Sequence, residues 1–245
     1  MIAEISPSPL VLVTGAAHRI GRAIALALAG RGFAIGLHFH TAAGQAQQTA
    51  EEIAALGRSA YLLPADLRDP QQVMAMFSEI ASLPNPLTGL VNSAGIMPVS
   101  RLDDTSVDLW DDIFTLNLRA AWLCGQQTVQ LMQPRPGWII NITDAGAEKT
   151  WTKYAAYILS KSALQDLTRL QARTYAPRIR VNAVAPGLIL RSPEVTEEEW
   201  QHLIQRLPLQ ESGQPQDIAR AVLFLADHPS ITGQTIVVDG GYQLL

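Results

Sequence analysis

Seven short apolar runs, rich in β-branched residues, punctuate the chain at positions 10–14, 33–39, 59–65, 87–93, 137–143, 179–185 and 235–240. They are nearly continuous in apolar character, the pattern of strands covered on both faces. Between them, residues 20–29, 46–56, 70–81, 107–131, 153–175 and 216–226 space their apolar positions as helices do. Strand–helix–strand alternation of this kind predicts an α/β fold: a single Rossmann-type, doubly wound parallel sheet of about seven strands with helices on both faces, spanning residues 1–245. The alternation breaks once, over residues 187–211, where a short helix is expected near 196–207. So long an interruption after a strand end reads as a substrate lid over a cleft.

Composition narrows the function classes. Apolar residues are 48% and charged residues 16% of 245, which fits one large globular domain with a sizeable core. A net charge of −4, with no basic stripe, argues against nucleic acid as a partner. No apolar run approaches the ~20 residues a membrane helix needs. The N-terminus, MIAEISPSPLVLVTG, lacks the basic segment of a secretion signal and leads into a first strand. The single cysteine, Cys124, excludes an internal disulfide, fits a reducing cytoplasm and is expected to be a buried thiol.

Candidate chemistry begins where strand one meets helix one, in TGAAHRIG (14–21). Gly15 can take positive φ in a tight turn, and Gly21 lets the helix pack closely on the strand. A pyrophosphate would then rest on exposed amides at the helix N-terminus. Strand two ends in LHFHTAAG, with no acid before Glu51 to accept from a ribose 2′-hydroxyl. His40 and Thr41, with His18 or Arg19, suit a 2′-phosphate instead, so the expected cofactor is NADPH; His38 reads equally as a packed strand residue or a ligand. At the other end, Tyr157 and Lys161 stand at i and i+4 on one helix face. A phenol has an ordinary pKa near ~10, and a neighbouring ammonium is expected to lower it toward useful acid–base chemistry.

The glycine turn, the YILSK pair and the segment NITDAG, with Asp144 thirteen residues before Tyr157, together resemble the short-chain dehydrogenase/reductase family across essentially the whole chain. That resemblance implies a catalytic set of Asn117, Tyr157, Lys161 and the residue at 144, with Asn117 holding a water near Lys161. It also implies cofactor contacts at Ile20, Asp66 and Leu67, at Asn92, Ala94 and Gly95 beside the ribose, and at Pro186, Gly187 and Leu188 along the nicotinamide. Family members usually carry serine where Asp144 stands and glycine where Arg19 stands.

Three features resemble the pteridine reductase branch: Arg19, LHFHTAA and Asp144. A pterin presents N–H donors and a reducible C=N bond, and a carboxyl group can accept from the former or manage a proton for the latter. Arg19, Ile96, Met97, Asp144 and Tyr157 are the expected substrate contacts. The branch's stacking aromatic is absent at Ile96-Met97, and Trp151 or Trp200 could replace it. The expected function is NADPH-dependent reduction of dihydrobiopterin- or dihydrofolate-like substrates. A general reductase of small ketones or 3-oxoacyl thioesters is the alternative, and a non-catalytic NADP(H) sensor is a third class. No metal is expected; a homo-oligomer, dimer or tetramer, is.

Overall fold

The computed structural model describes residues 8–192 and 195–245. The first seven residues and positions 193–194 of the expected lid lie outside the described residues. Among the described residues seven strands appear: β1 (Leu10–Val13), β2 (Ala34–Phe39), β3 (Ala60–Pro64), β4 (Leu87–Asn92), β5 (Gly137–Ile142), β6 (Ile179–Pro186) and β7 (Thr235–Val238). They form one sheet in the order β3-β2-β1-β4-β5-β6-β7, and every pairing is parallel. The order reverses between β1 and β4, and in open parallel sheets the crevice outside that switch point is where ligands bind.

Helices α1 (Arg19–Gly30), α2 (Ala43–Ala55), α3 (Pro70–Ser82), α4 (Val107–Phe114), α5 (Ala120–Leu131), α6 (Ala155–Tyr175), α7 (Glu197–Arg206) and α8 (Pro215–Asp227) complete the frame. On one face Ile24, Leu28, Ile53, Val222 and Leu225 pack on Val11, Val13, Ile35 and Ile140. On the other, Val73, Phe77, Cys124 and Ala172 pack on Leu10, Leu12, Leu90 and Val181. Each fully buried large side chain contributes about 1.5–3 kcal/mol by leaving water. Cys124 is fully buried, and that burial pushes its thiol up to about 12.

Two expectations need correction. The strands at the sheet edges, β3 and β7, are only half covered: along β3 only Leu63 is fully buried, and no residue of β7 is. An edge strand lacks a neighbour on one side, whatever its apolar content. The helix expected to run unbroken over 107–131 is instead α4, a π-helical turn at Thr115–Arg119, and α5. The wider turn accommodates the buried amide of Asn117, and such insertions recur at functional sites. The interruption at 187–211 does contain the expected short helix, α7, opened by a reciprocal Thr196–Glu199 capping box.

Candidate active site

The phosphate turn is shaped by two close approaches. Gly15 has φ +65°, and a β-carbon there would lie 3.0 Å from the Ala94 backbone; one on Gly21 would collide with the Gly15 carbonyl at 2.1 Å. Arg19, where the family's glycine usually stands, also sits in the left-handed region at φ 54°. A non-glycine residue there is strained, so its guanidinium is retained at a conformational cost of order 1 kcal/mol. His18 and Arg19 are exposed at the mouth of the turn, and Arg19 Nη2 reaches to 3.4 Å from the Leu190 carbonyl across the cleft. At the end of β2, His40 and Thr41 are exposed and His40 lies 3.9 Å from Asp66, while Leu67 is buried behind it.

At this end of the sheet an imidazole and a hydroxyl thus stand near Asp66, which lies two residues past the end of β3. The open turn, the helix N-terminus beneath it and this strand end fit a phosphorylated dinucleotide. His38 is a packed residue, 3% exposed, with both ring nitrogens engaged by backbone groups. Asn92 does not reach this site through its side chain. Its amide points into the core, donating to the Ala121 carbonyl and to Asn141 Oδ1 at 2.8 Å, because β4 is a central strand whose polar groups must find internal partners.

At the catalytic end, β5 delivers Asp144 just past its last residue and α6 delivers Tyr157 and Lys161 from one face. The Tyr157 hydroxyl donates to Asp144 Oδ2 at 2.6 Å, and the Gly146 amide donates to Asp144 Oδ1 at 2.6 Å. Lys161 Nζ donates to the Ile142 carbonyl at 2.8 Å and lies 6.0 Å from the Tyr157 ring centre. Asn117 is buried in the π-helical turn, where its amide both accepts from and donates to the Ile96 backbone at 2.9 Å and donates to Ser160 Oγ at 3.0 Å. A β-carbon on Gly95 would come within 3.1 Å of Asn117 Oδ1 and 3.5 Å of Lys161 Nζ. Asn117 thus clamps the loop that separates it from the pocket, a role the spacing did not reveal.

The electrostatics correct one expectation. The Tyr157 phenol lies well above its ordinary value, driven first by burial and then by the Asp144 carboxylate beside it. Lys161 does not bring it down. Burial lowers Lys161 itself to about 8, partly opposed by Asp144. Asp144 is raised above the usual carboxylate range because burial outweighs the hydrogen bonds from Tyr157 and Gly146 and the charge of Lys161. Where a serine would give a hydroxyl pair, the acid and the phenol both favour their protonated forms.

These groups open onto a cavity of about 770 Å³. Among the expected residues, Arg19, Ile20, Gly95, Ile96, Met97, Pro186, Gly187 and Leu188 line it with Asp144, Tyr157 and Lys161; the adenosine-side residues lie beyond it. Trp151 and Trp200 both line it, as do Tyr154 and Tyr242, which sequence spacing alone did not single out. Trp151 Nε1 donates to the Tyr242 hydroxyl at 2.6 Å, and the two rings meet edge to face at 5.6 Å. Tyr242 directly follows the VDGG segment of β7's end, the one hint in the sequence that a ring sits there. Leu190, Ser192, Val195, Trp200 and Leu203 of the 187–211 segment form the facing wall. Among the described residues, no group of three His, Cys, Asp or Glu side chains could hold a metal ion, and no helix is long and apolar enough to cross a membrane.

Comparison with known proteins places this geometry in context. A family model described as enoyl-(acyl carrier protein) reductase matches residues 15–243. The 3-oxoacyl-[acyl-carrier-protein] reductase FabG of Staphylococcus aureus is 37% identical, over 94% of this chain and 96% of its own. The short-chain dehydrogenase/reductase eriH of Hericium erinaceus is 33% identical, over 97% and 98%. Among solved structures, FolM alternative dihydrofolate reductase 1 from Brucella canis, complexed with NADP, superposes with a TM-score of 0.92 at 32% identity, covering 98% of this chain and 96% of that one.

Proposed function

The chain belongs to the short-chain dehydrogenase/reductase family, and from that premise we propose that it is an NADPH-dependent reductase of pteridines, acting on a C=N bond of a dihydrobiopterin- or dihydrofolate-like substrate. The observation that carries this reading is the 2.6 Å hydrogen bond between Tyr157 and Asp144 at the cavity wall, where the family resemblance leads one to expect a serine hydroxyl. The likeness to FolM, itself described as a dihydrofolate reductase complexed with NADP, supports both substrate class and cofactor.

When bound, NADPH supplies a hydride from its nicotinamide. The glycine turn and the start of α1 would hold its phosphates, His40 and Thr41 would hold the 2′-phosphate, and Pro186, Gly187 and Leu188 would line the nicotinamide site. The remaining task is one proton for the substrate nitrogen. Tyr157 gives its hydroxyl proton to that nitrogen, and Asp144, raised by burial, returns a proton to the phenol oxygen 2.6 Å away. An ionised Asp144 can instead accept from a pterin N–H and fix the ring's orientation. Lys161, cationic below about 8, stabilises negative charge that develops on this acid–phenol pair. Trp151 and Tyr242 supply the flat apolar surface missing at Ile96-Met97.

Reduction of a 3-oxoacyl thioester is the second reading, favoured by the 37% identity to FabG and by the complete Asn117, Tyr157, Lys161 set. Against it, a ketone has no N–H for Asp144 to accept from, so the carboxyl group's orienting role has no counterpart in a thioester substrate, for which a serine hydroxyl would suffice. The discriminating assay follows NADPH oxidation with 7,8-dihydrobiopterin, dihydrofolate and a 3-oxoacyl thioester. Turnover of a dihydropterin at a kcat/KM well above the thioester is expected. Turnover of the thioester alone would overturn the pteridine reading.

A further inference from the structure

We propose that His38 is a positioning residue for the dinucleotide, a neutral imidazole that ties together the three segments bearing the adenosine half of the site without touching the cofactor. The imidazole sits on β2 and spans the end of the sheet. Its Nδ1 accepts from the Gly15 amide at 3.0 Å, and its Nε2 lies 3.0 Å from the Ala65 carbonyl. A carbonyl can only accept, so Nε2 carries the hydrogen and Nδ1 is left as the acceptor that Gly15 requires. One tautomer satisfies both partners, and the protonated ring would satisfy only one.

The same point of the chain is tied through the backbone. The His38 carbonyl accepts from the Ala16 amide at 2.9 Å, and the Ala65 amide donates to the Phe39 carbonyl at 3.0 Å. Gly15 is thus held from one side by His38 and stopped on the other by the Ala94 backbone, against which even a β-carbon would press. Ala65 leads directly into Asp66 and Leu67, and Phe39 into His40 and Thr41. One buried ring therefore sets the spacing between the phosphate turn, the 2′-phosphate contacts and the adenine edge. It also occupies the Gly15 N–H, leaving the free amides at the start of α1 for phosphate. His40 and Asp66 are the ionisable groups that face it, and burial, outweighing Asp66 and the Ala65 carbonyl, holds the imidazole down at about 4.

A positioning residue and a phosphate ligand leave different signatures. The test is titration of the full-length protein with NADPH and with NADH, read by nicotinamide fluorescence, for wild type, His38→Phe and His38→Asn. Losing both hydrogen bonds in His38→Phe should weaken both nucleotides about tenfold or more, with the NADPH-to-NADH ratio unchanged. His38→Asn keeps an acceptor near the Nδ1 position and should recover part of the loss for both. Weakening confined to NADPH would make His38 a 2′-phosphate ligand and overturn the proposal. Unchanged affinities with a lowered melting temperature would show a merely structural role and overturn it too. Should His38→Phe not fold, His38→Asn is judged by the same ratio.

Discussion

At the scale of single residues, the site differs from a hydroxyl–phenol pair in where its protons rest. Burial raises both Asp144 and Tyr157 and lowers Lys161 to about 8, so three neighbouring groups titrate as a coupled set. The signs fix a pH profile. Asp144 supplies a proton only below its raised value, and Lys161 carries charge only below about 8. The kcat/KM for a dihydropterin should therefore be highest at the acidic end of the stable range and fall in two steps as pH rises, the upper one near 8. Asp144→Ser should remove the lower step and leave the upper one. A wild-type profile that rises through this range would contradict the assignment of both groups. The family resemblance singled out Asp144, Tyr157 and Lys161, and the structure brings the three together. The direction of the phenol's shift was not legible in the sequence, because it depends on how deeply α6 buries the ring and on which oxygen its hydroxyl faces.

At the scale of elements, side-chain direction was what the pattern could not supply. A helical period over 107–131 does not reveal a π-helical turn at Thr115–Arg119, which turns Asn117 onto the Ile96 backbone. Likewise the NSAG segment placed Asn92 near the ribose, yet its amide belongs to the interior. The short turn after β5 is similarly held from a distance: Gln243 donates to the Ala145 carbonyl at 3.1 Å, and the Trp151 ring presses on Gly146. The phosphate turn offers the clearest test at this scale. In Gly15→Ala, φ near +65° and 3.0 Å to Ala94 leave the added methyl no room without opening the turn. NADPH binding should weaken about tenfold or more, measured by fluorescence titration, while the melting temperature falls only modestly. Unchanged binding would show that the turn does not carry the phosphates.

At the scale of the whole molecule, the strand count, the parallel pairing and the helices on both faces were readable from alternation, since a doubly wound sheet leaves few other arrangements. The aromatic wall was not. Trp151 and Tyr242 lie 91 positions apart and meet only because β5 and β7 end on the same side of the sheet. Exposed apolar side chains remain on the α4–α6 face: Leu170 is 65% and Trp122 43% exposed, and both line a groove with Phe114, Leu118 and Leu167. We propose that a second copy of the chain covers this face. Light scattering should give a dimer or tetramer for the wild type and a smaller species for Leu170→Glu. A monomeric wild type would contradict it.

The central claim is that Asp144 suits the site to a nitrogen heterocycle and not to a ketone. Its most direct test is the ratio of kcat/KM for 7,8-dihydrobiopterin to that for a 3-oxoacyl thioester, in wild type and Asp144→Ser. The ratio should fall by about a hundredfold or more in the variant, because the proton-managing acid is lost while a carbonyl-binding hydroxyl is gained. An unchanged ratio, or one that rises, would contradict the role assigned to the acid.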